Sequence, residues 1–556
     1  TAGPWFLRAA VDDFVSRAPL VKIWLLVGAM LGVALVAGFF RFLMRELLNS
    51  VSRWLEYDLR NDLFAKLETL DAAYFARMRT GDLMARLTND LSAVRMAAGP
   101  AVMYLTNTVA GGTFALLFML HIDVRLTLIA LLPMILLPIS MIWLGHAIHH
   151  RFEAVQEHFG RMTTMAQENV SGVRVVRAYR QEAPEAGRFA ELGEEYLRKQ
   201  MRLATLYGMM HPSFQMLAGL GSVVVLGLGG ALAIRGTISV GAFVAFGLYL
   251  GMLTWPLIAL GFVINLFQRG AASMGRLLDI LDAAPEVLSP LAPRALPPAA
   301  AGRRLEFRRV GFHYPDANGA PPRWVLRDVS FTVPAGATVG IVGATGSGKS
   351  ALLDLVPRLF DPQEGEILVD GVPLRELDID AWRREIGYVP QESFLFSDSI
   401  GTNLAYGAAD ASTRDWAASV AQLTSTIEAL PERYDTMLGE RGINLSGGQK
   451  QRAALARALA RKPSMVLLDD ALSAVDTQTE AEILRALRTT LAGRTALIAS
   501  HRVSAIRDAT FTIVLDEGRV VEQGTHDTLL AAGGRYWSLL NRQQLEESIE
   551  SAAESA

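Results

Sequence analysis

Five apolar runs in the first half of the chain limit its fold more than any other feature. Ile23–Phe40, Met96–Ile122, Leu126–Ile148, Leu203–Ile234 and Gly236–Gln268 hold no Asp, Glu, Lys or Arg. A hydrocarbon core needs about 20 apolar residues per helical crossing, and inside it every backbone N–H and C=O must be paired within the chain. A single run of this kind can be a buried core helix, but five in succession, each long enough to cross, predict an α-helical polytopic membrane domain. The apolar share of the 556-residue chain, 51%, agrees with this, and its length requires further folding units. The net charge of −3 and the lack of a Lys/Arg run argue against nucleic acid as a partner. Cys is absent, which excludes disulfides and thiolate metal sites.

The loops fix the orientation. Between the first two spans lie Arg41, Arg45, Arg53, Arg60, Lys66, Arg77, Arg79, Arg86 and Arg95, whereas the turns at Asp123–Arg125 and Arg235 are nearly bare of charge. Cationic loops stay in the cytoplasm. Both long loops, Arg41–Arg95 and His149–Arg202, show apolar residues at helical spacing, such as Leu55, Leu59, Leu63, Leu67 and Leu70. They read as helices leaving the membrane and folding back at Thr80-Gly81-Asp82 and at Glu182-Ala183-Pro184. An odd number of spans places Thr1 outside, so a further span is expected before it, with Pro4-Trp5-Phe6-Leu7 as its tail. His146, His149 and His150 share a helical face, but no carboxylate or Cys in that turn completes a ligand set, and they read as interfacial imidazoles.

From Asp282 the composition shifts to prolines and alanines, which mark a linker over 282–302 between a membrane domain, 1–281, and a second domain, 303–540. An acidic tail, 541–556, follows. Arg304–His313 alternates like an antiparallel strand and ends at Tyr314, placed to stack on a purine. Gly343-Ala344-Thr345-Gly346-Ser347-Gly348-Lys349-Ser350 matches the G-x-x-x-x-G-K-[ST] phosphate loop, with an apolar strand before it and a helix pattern after it. Its glycines let backbone N–H groups approach phosphates, Lys349 adds a charge, and Ser350 offers a hydroxyl to Mg²⁺. Met465–Asp469 is an apolar strand ending in a carboxylate suited to Mg²⁺, and Asp470 stands where a base would polarise the attacking water. Arg494–His501 is another buried strand, with His501 suited to hydrogen-bond a γ-phosphate. Asn444-Leu445-Ser446-Gly447-Gly448-Gln449 opens a helical stretch and forms a second anion nest. One phosphate loop with two phosphate-binding surfaces is resolved by two chains arranged head to tail.

Tyr314, the 343–350 loop, Gln391, Leu445–Gln449, Asp469, Ser473-Ala474-Val475-Asp476 and His501 occur in the order found in the nucleotide-binding domain of ATP-binding cassette transporters. The whole chain resembles an exporter-type half-transporter. The resemblance implies an α/β P-loop domain fused to the helical membrane domain and ATP as ligand with Mg²⁺. Tyr314 would then stack on adenine, Gln391 sense the metal and the attacking water, and Ser446–Gln449 cover the partner's ATP. Asp476 joins the nucleotide-binding set, and Thr436–Glu440 resembles the stretch that meets the loop tips. The chain departs from the pattern at Asp470, where the family carries Glu. That departure implies a slow site of its own and a partner half that carries the Glu. The expected function is ATP-driven efflux of amphipathic drugs, lipids or peptides from a bacterial inner membrane. The alternatives are a regulatory ATP-binding subunit that gates its partner, and import through an exporter-type fold.

Overall fold

The computed structural model describes residues 2–297, 302–315, 323–406, 410–439, 442 and 444–554. Two compact units form: Thr1–Leu67 with Leu83–Asp282, and Glu68–Asp82 with Ala283–Ala556.

In the first unit, five helices among the described residues are long and apolar enough to cross a membrane: Leu20–Thr69, Thr80–Ile122, Val124–Ser171, Glu182–Ile234 and Val240–Leu281. The first four each contain a predicted run whole, the fifth begins four residues inside its run, and most continue well beyond it. A 50-residue helix such as Leu20–Thr69 is about 75 Å long at 1.5 Å per residue, far more than one crossing. Phe246, Tyr249, Met119, Leu126 and Ala115 meet at the centre of a fully buried cluster.

Gly3–Val15, which includes Pro4 to Leu7, is a 13-residue helix packed on the last spanning helix. Asp12 accepts from the Ser239 hydroxyl at 2.6 Å and from the Gly241 N–H at 2.8 Å. A carboxylate at a helix N-terminus satisfies an otherwise unpaired donor and faces the positive end of the dipole. Gly241 permits the approach, because a Cβ there would lie 2.1 Å from the Arg8 carbonyl oxygen.

The hairpin tips differ from the sequence reading. The first tip is the short helix Ala72–Arg77, and Thr80 begins the next helix rather than marking the bend. The second is Val173–Ala178, and Pro184 lies in the first turn of Glu182–Val224. Proline lacks only an N–H that is unpaired in a first turn anyway, so there it starts a helix instead of breaking one. The first tip packs within the second unit. Asp71 caps the tip helix through Tyr74 N–H at 3.0 Å and accepts from Val287 N–H at 3.0 Å and from Glu286 N–H. Ala73 is buried with Phe312 and Phe360. Met437 pairs with Ser399 in an isolated antiparallel bridge, and the Leu438 N–H donates to the Asp398 carbonyl oxygen. Glu440 and the linker's Pro298 lie outside the described residues.

Among the described residues the second unit has ten strands: β1 Leu305–Phe312, β2 Leu326–Val333, β3 Thr338–Val342, β4 Glu364–Val369, β5 Val372–Pro373, β6 Ile386–Val389, β7 Met465–Asp469, β8 Thr495–Ala499, β9 Phe511–Asp516 and β10 Arg519–Gly524. They form an antiparallel sheet, β2-β1-β4-β5, and a second sheet, β10-β9-β3-β8-β7-β6, parallel from β9 to β6. Strands β7 and β8 are buried along their whole length, as a parallel sheet covered on both faces requires. The predicted acidic tail continues as the helix Arg535–Glu554.

Arg303, at the entry to β1, joins the two sheets. It is buried and donates to Glu385 at 2.6 and 2.9 Å and to Asp370 at 3.0 Å. Arg303→Ala would leave two partly buried carboxylates without their cation and should cost about 1–3 kcal/mol. Thermal unfolding of the purified protein reads this as a lowered midpoint. Arg303 holds the Glu385 carboxyl below its ordinary value. Its stabilisation is therefore present above the ordinary carboxylate range and lost as pH falls through the lowered value, an acid limb that Arg303→Ala should blunt.

Candidate functional site

The parallel register brings the candidate residues to one edge. In the order β3-β8-β7-β6, the phosphate loop follows β3, His501 lies just past β8, Asp469 ends β7 and Gln391 lies just past β6. Ligands of open parallel sheets bind at the carboxyl ends of strands, where the loops diverge.

The loop has the backbone that its glycines allow. Gly346 and Gly348 have φ of 82° and 102°, and a Cβ on Gly343 would sit 2.2 Å from the Leu515 carbonyl oxygen. Lys349 is buried and donates to the carbonyl oxygens of Gly343 at 2.8 Å and Ala344 at 3.0 Å, so its cation lies across the cradle. Burial pushes its pKa down, partly opposed by Asp469 and Asp470. The Ser347 hydroxyl is buried with no hydrogen-bond partner among the described residues. An orphaned donor inside a glycine cradle fits phosphate oxygens.

Burial raises the Asp469 pKa, and the Ser350 hydroxyl beside its carboxylate partly opposes this. A hydroxyl beside a buried carboxylate is a fit donor set for a hard divalent cation. Asp470 takes the left-handed conformation, φ 48°, at the end of β7. Its N–H donates to Ala499 at 2.9 Å, and its Oδ1 accepts from the His501 N–H at 3.5 Å. Positive φ in a non-glycine residue is uncommon, and Asp tolerates it better than most. Burial and the nearby Lys349 cation hold the His501 pKa below its ordinary value, so the imidazole is neutral at pH 7.

Tyr314 packs edge-on against Phe312 and Phe360, at 4.9 and 5.3 Å between ring centroids, and stays 40% exposed. That leaves part of the ring for a second aromatic plane. Its hydroxyl points to Asp354 at 3.4 Å, and Tyr388 donates to the other Asp354 oxygen at 2.7 Å. Burial raises the Asp354 pKa despite these bonds. Sequence reasoning missed both Asp354 and Tyr388. The available signal was spacing, since Asp354 lies one helical turn beyond Ser350 on the face that starts at the loop. Gln391 is exposed, and Thr345 lies exposed in the loop.

Ser446 and Gln449 form a capping box on the helix Gly447–Ala460: Ser446 N–H donates to Gln449 Oε1 at 2.9 Å, and Gln449 N–H to Ser446 Oγ at 3.3 Å. The box serves the Gln449 N–H and leaves those of Gly447 and Gly448 with no acceptor inside the helix. Gly448 packs against Ala474, whose carbonyl oxygen would lie 2.6 Å from an added Cβ. Asp476 caps the helix Thr477–Thr490 by accepting from Thr479 N–H at 2.9 Å.

Residues 1–257 match the family model for the ABC transporter transmembrane region, and residues 326–473 match the model for the ABC transporter domain. The chain is 37% identical over 555 residues to the probable multidrug resistance ABC transporter ATP-binding/permease protein YheI of Bacillus subtilis, covering 99% of this chain and 94% of that protein. It is 36% identical to the multidrug resistance-like ATP-binding protein MdlA of Escherichia coli, covering 96% and 90%. It is 33% identical to the ATP-dependent lipid A-core flippase of Syntrophus aciditrophicus, covering 98% and 90%. Among solved structures, a bacterial Atm1-family ABC exporter with ATP bound superposes with a TM-score of 0.78 at 29% identity, covering 97% of this chain and 94% of that one.

The electrostatics of His501 can be tested in the nucleotide-free protein. Burial is the larger cause of its lowered pKa and Lys349 the second. Lys349→Met should therefore raise the His501 midpoint without returning it fully to about 6.5. An NMR titration of the imidazole, assigned with His501→Gln, reads the change; an unmoved midpoint would separate the two groups.

Proposed function

The chain belongs to the ABC transporter family, with an exporter-type membrane region fused to its ATP-binding domain, and we propose that it is one half of an exporter of amphipathic compounds whose own ATP site turns over slowly. It is a multi-pass membrane protein with its ATP domain in the cytoplasm, and ATP hydrolysis powers its transport.

In this reading ATP lies across the edge of the parallel sheet. Tyr314 stacks on adenine, the N–H groups of residues 343–350 hold the phosphates, and Lys349 leaves its loop carbonyls to pair with phosphate oxygen. Ser350, Asp469 and Gln391 would hold Mg²⁺, which when bound offsets charge on the phosphates. Asp470 accepts a proton from the attacking water as the bond from γ-phosphorus to the bridging oxygen breaks, and ADP and phosphate result. The neutral His501 donates an N–H to the γ-phosphate.

Asp470 is the single observation that makes the site slow. An Asp carboxylate is one methylene shorter than Glu, a loss of reach of about 1.5 Å. The base must stand about 3 Å from the water. The left-handed backbone of Asp470 and the hydrogen bond from His501 N–H support a carboxylate drawn back toward the strand ends. A second half that carries Glu would supply the fast site, and Ser446–Gln449 of this chain would cover that half's ATP. The multidrug and lipid A-core names of the relatives, together with walls nearly free of charge, support amphipathic drugs or lipids as cargo. Asp470 also favours a second reading, in which this chain binds ATP only to gate its partner.

Uptake of an amphipathic dye, a lipid and a peptide into inside-out vesicles separates the readings. ATP-dependent uptake by the complex, and by neither half alone, is expected; uptake by the partner half without this chain would favour the gating role. Asp470→Glu should restore reach to the water. A well-placed general base contributes about 10²–10⁴-fold, of which the complex should show only a modest part while the partner's site dominates turnover. Steady-state phosphate release by the purified complex measures it, and unchanged release would mean that reach is not limiting.

A further inference from the structure

Glu480 is a carboxylate that the chemistry above does not use. It is 5% exposed, in the first turn of the helix Thr477–Thr490. Its Oε2 accepts from Arg502 Nη1 at 2.7 Å, and its Oε1 has no hydrogen-bond partner among the described residues. Glu480, Asp470, Ser473, Ser500 and Arg502 line one small cleft directly behind the end of β7. A pair with one side open to water, as here at Arg502, adds little to stability, so its place beside the site asks for another explanation.

The backbone around His501 supplies one. Ser500 N–H donates to Ile341 at 3.1 Å, Arg502 N–H to Ser500 Oγ at 2.9 Å, and Val503 N–H to Gln543 Oε1 at 2.9 Å. Only the His501 N–H has a long bond, 3.5 Å, to the catalytic carboxylate. The segment is therefore anchored on both sides of His501 and loosely at His501 itself. The charged anchor is the guanidinium of the next residue, Arg502, and charge-assisted bonds are about twice as strong as neutral ones.

We infer that Glu480 is a positioning residue of the ATP site, acting through Arg502 to hold His501 where it meets the γ-phosphate. The inference rests on the reading of His501 as the γ-phosphate contact. The strap also joins His501 to the helix that Asp476 caps, so Ser473–Asp476 and His501 shift together.

ADP lacks the γ-phosphate, so the strap must act on ATP and not on ADP. Competition of ATP and of ADP against 8-azido-ATP photolabelling of this chain, in the complex, gives the two affinities at its own site. His501→Ala should lower the ATP-to-ADP affinity ratio. Glu480→Gln and Arg502→Gln should each lower it by roughly five- to tenfold with ADP affinity unchanged, and add nothing in the His501→Ala background. Arg502 is half-exposed, so Arg502→Gln keeps the test open if Glu480→Gln misfolds. Equal weakening of ATP and ADP would make the pair a structural support only. An unchanged ratio in the strap variants alongside a lowered one in His501→Ala would overturn the strap alone. An unchanged ratio in His501→Ala would overturn the reading of His501 and the strap with it.

Discussion

The parallel register of β3, β8 and β7 is the constraint on which the rest of the site depends. Val339 pairs with Leu497 and Leu497 with Leu467, so the three strands run level and release their loops at one height. That alignment sets the phosphate loop, His501 and Asp469-Asp470 side by side although they lie far apart in sequence. It is held mainly by buried Val, Ile, Leu and Ala side chains on both faces. A slip of one residue would turn every side chain of a strand to the opposite face, at the cost of a whole buried layer. The geometry proposed for catalysis is thus secured by packing. The polar bonds within the site, several of them long, only trim it.

Local features of this site were legible from residue order. The phosphate loop needs glycines where φ is positive or a backbone approaches closely, and Gly343, Gly346 and Gly348 meet those needs. Strand β7 was read to its last residue because an unbroken apolar run ending in two carboxylates leaves little choice. The five spans were legible because charge-free runs of that length have few other uses. The hairpin tips were misread by a few residues, since Gly81 and Pro184 serve helix starts as well as they serve turns.

What stayed hidden depends on partners distant in the chain. Nothing near Asp71 announces that its carboxylate will hold the backbone of Glu286 and Val287. Asp12, Asp354 and Glu480 are ordinary acidic residues in sequence, and only the fold supplies Gly241, Tyr388 and Arg502 as their donors. Tyr314, proposed to face adenine, and the first cytoplasmic tip share a further link of this kind. Phe312 and Phe360 pack against Tyr314 and lie in the same buried cluster as Ala73. Residues that handle phosphate are set by motif, whereas those that brace the motif are set by packing.

Asp470 carries the central proposal, because the other residues proposed for the site have the chemistry that hydrolysis requires. Lys349, Ser350, Asp469 and His501 stand together, and the carboxylate that must reach the water is the short member of the set. The most direct measurement is a single-turnover chase: load the purified complex with labelled ATP, dilute into unlabelled ATP, and follow the label at each site by photocrosslinking to each chain. The account predicts that label on this chain remains ATP through several turnovers of the partner's site. If the label on this chain leaves as ADP as fast as it leaves the partner, Asp470 is a competent base and the slow-site account is wrong.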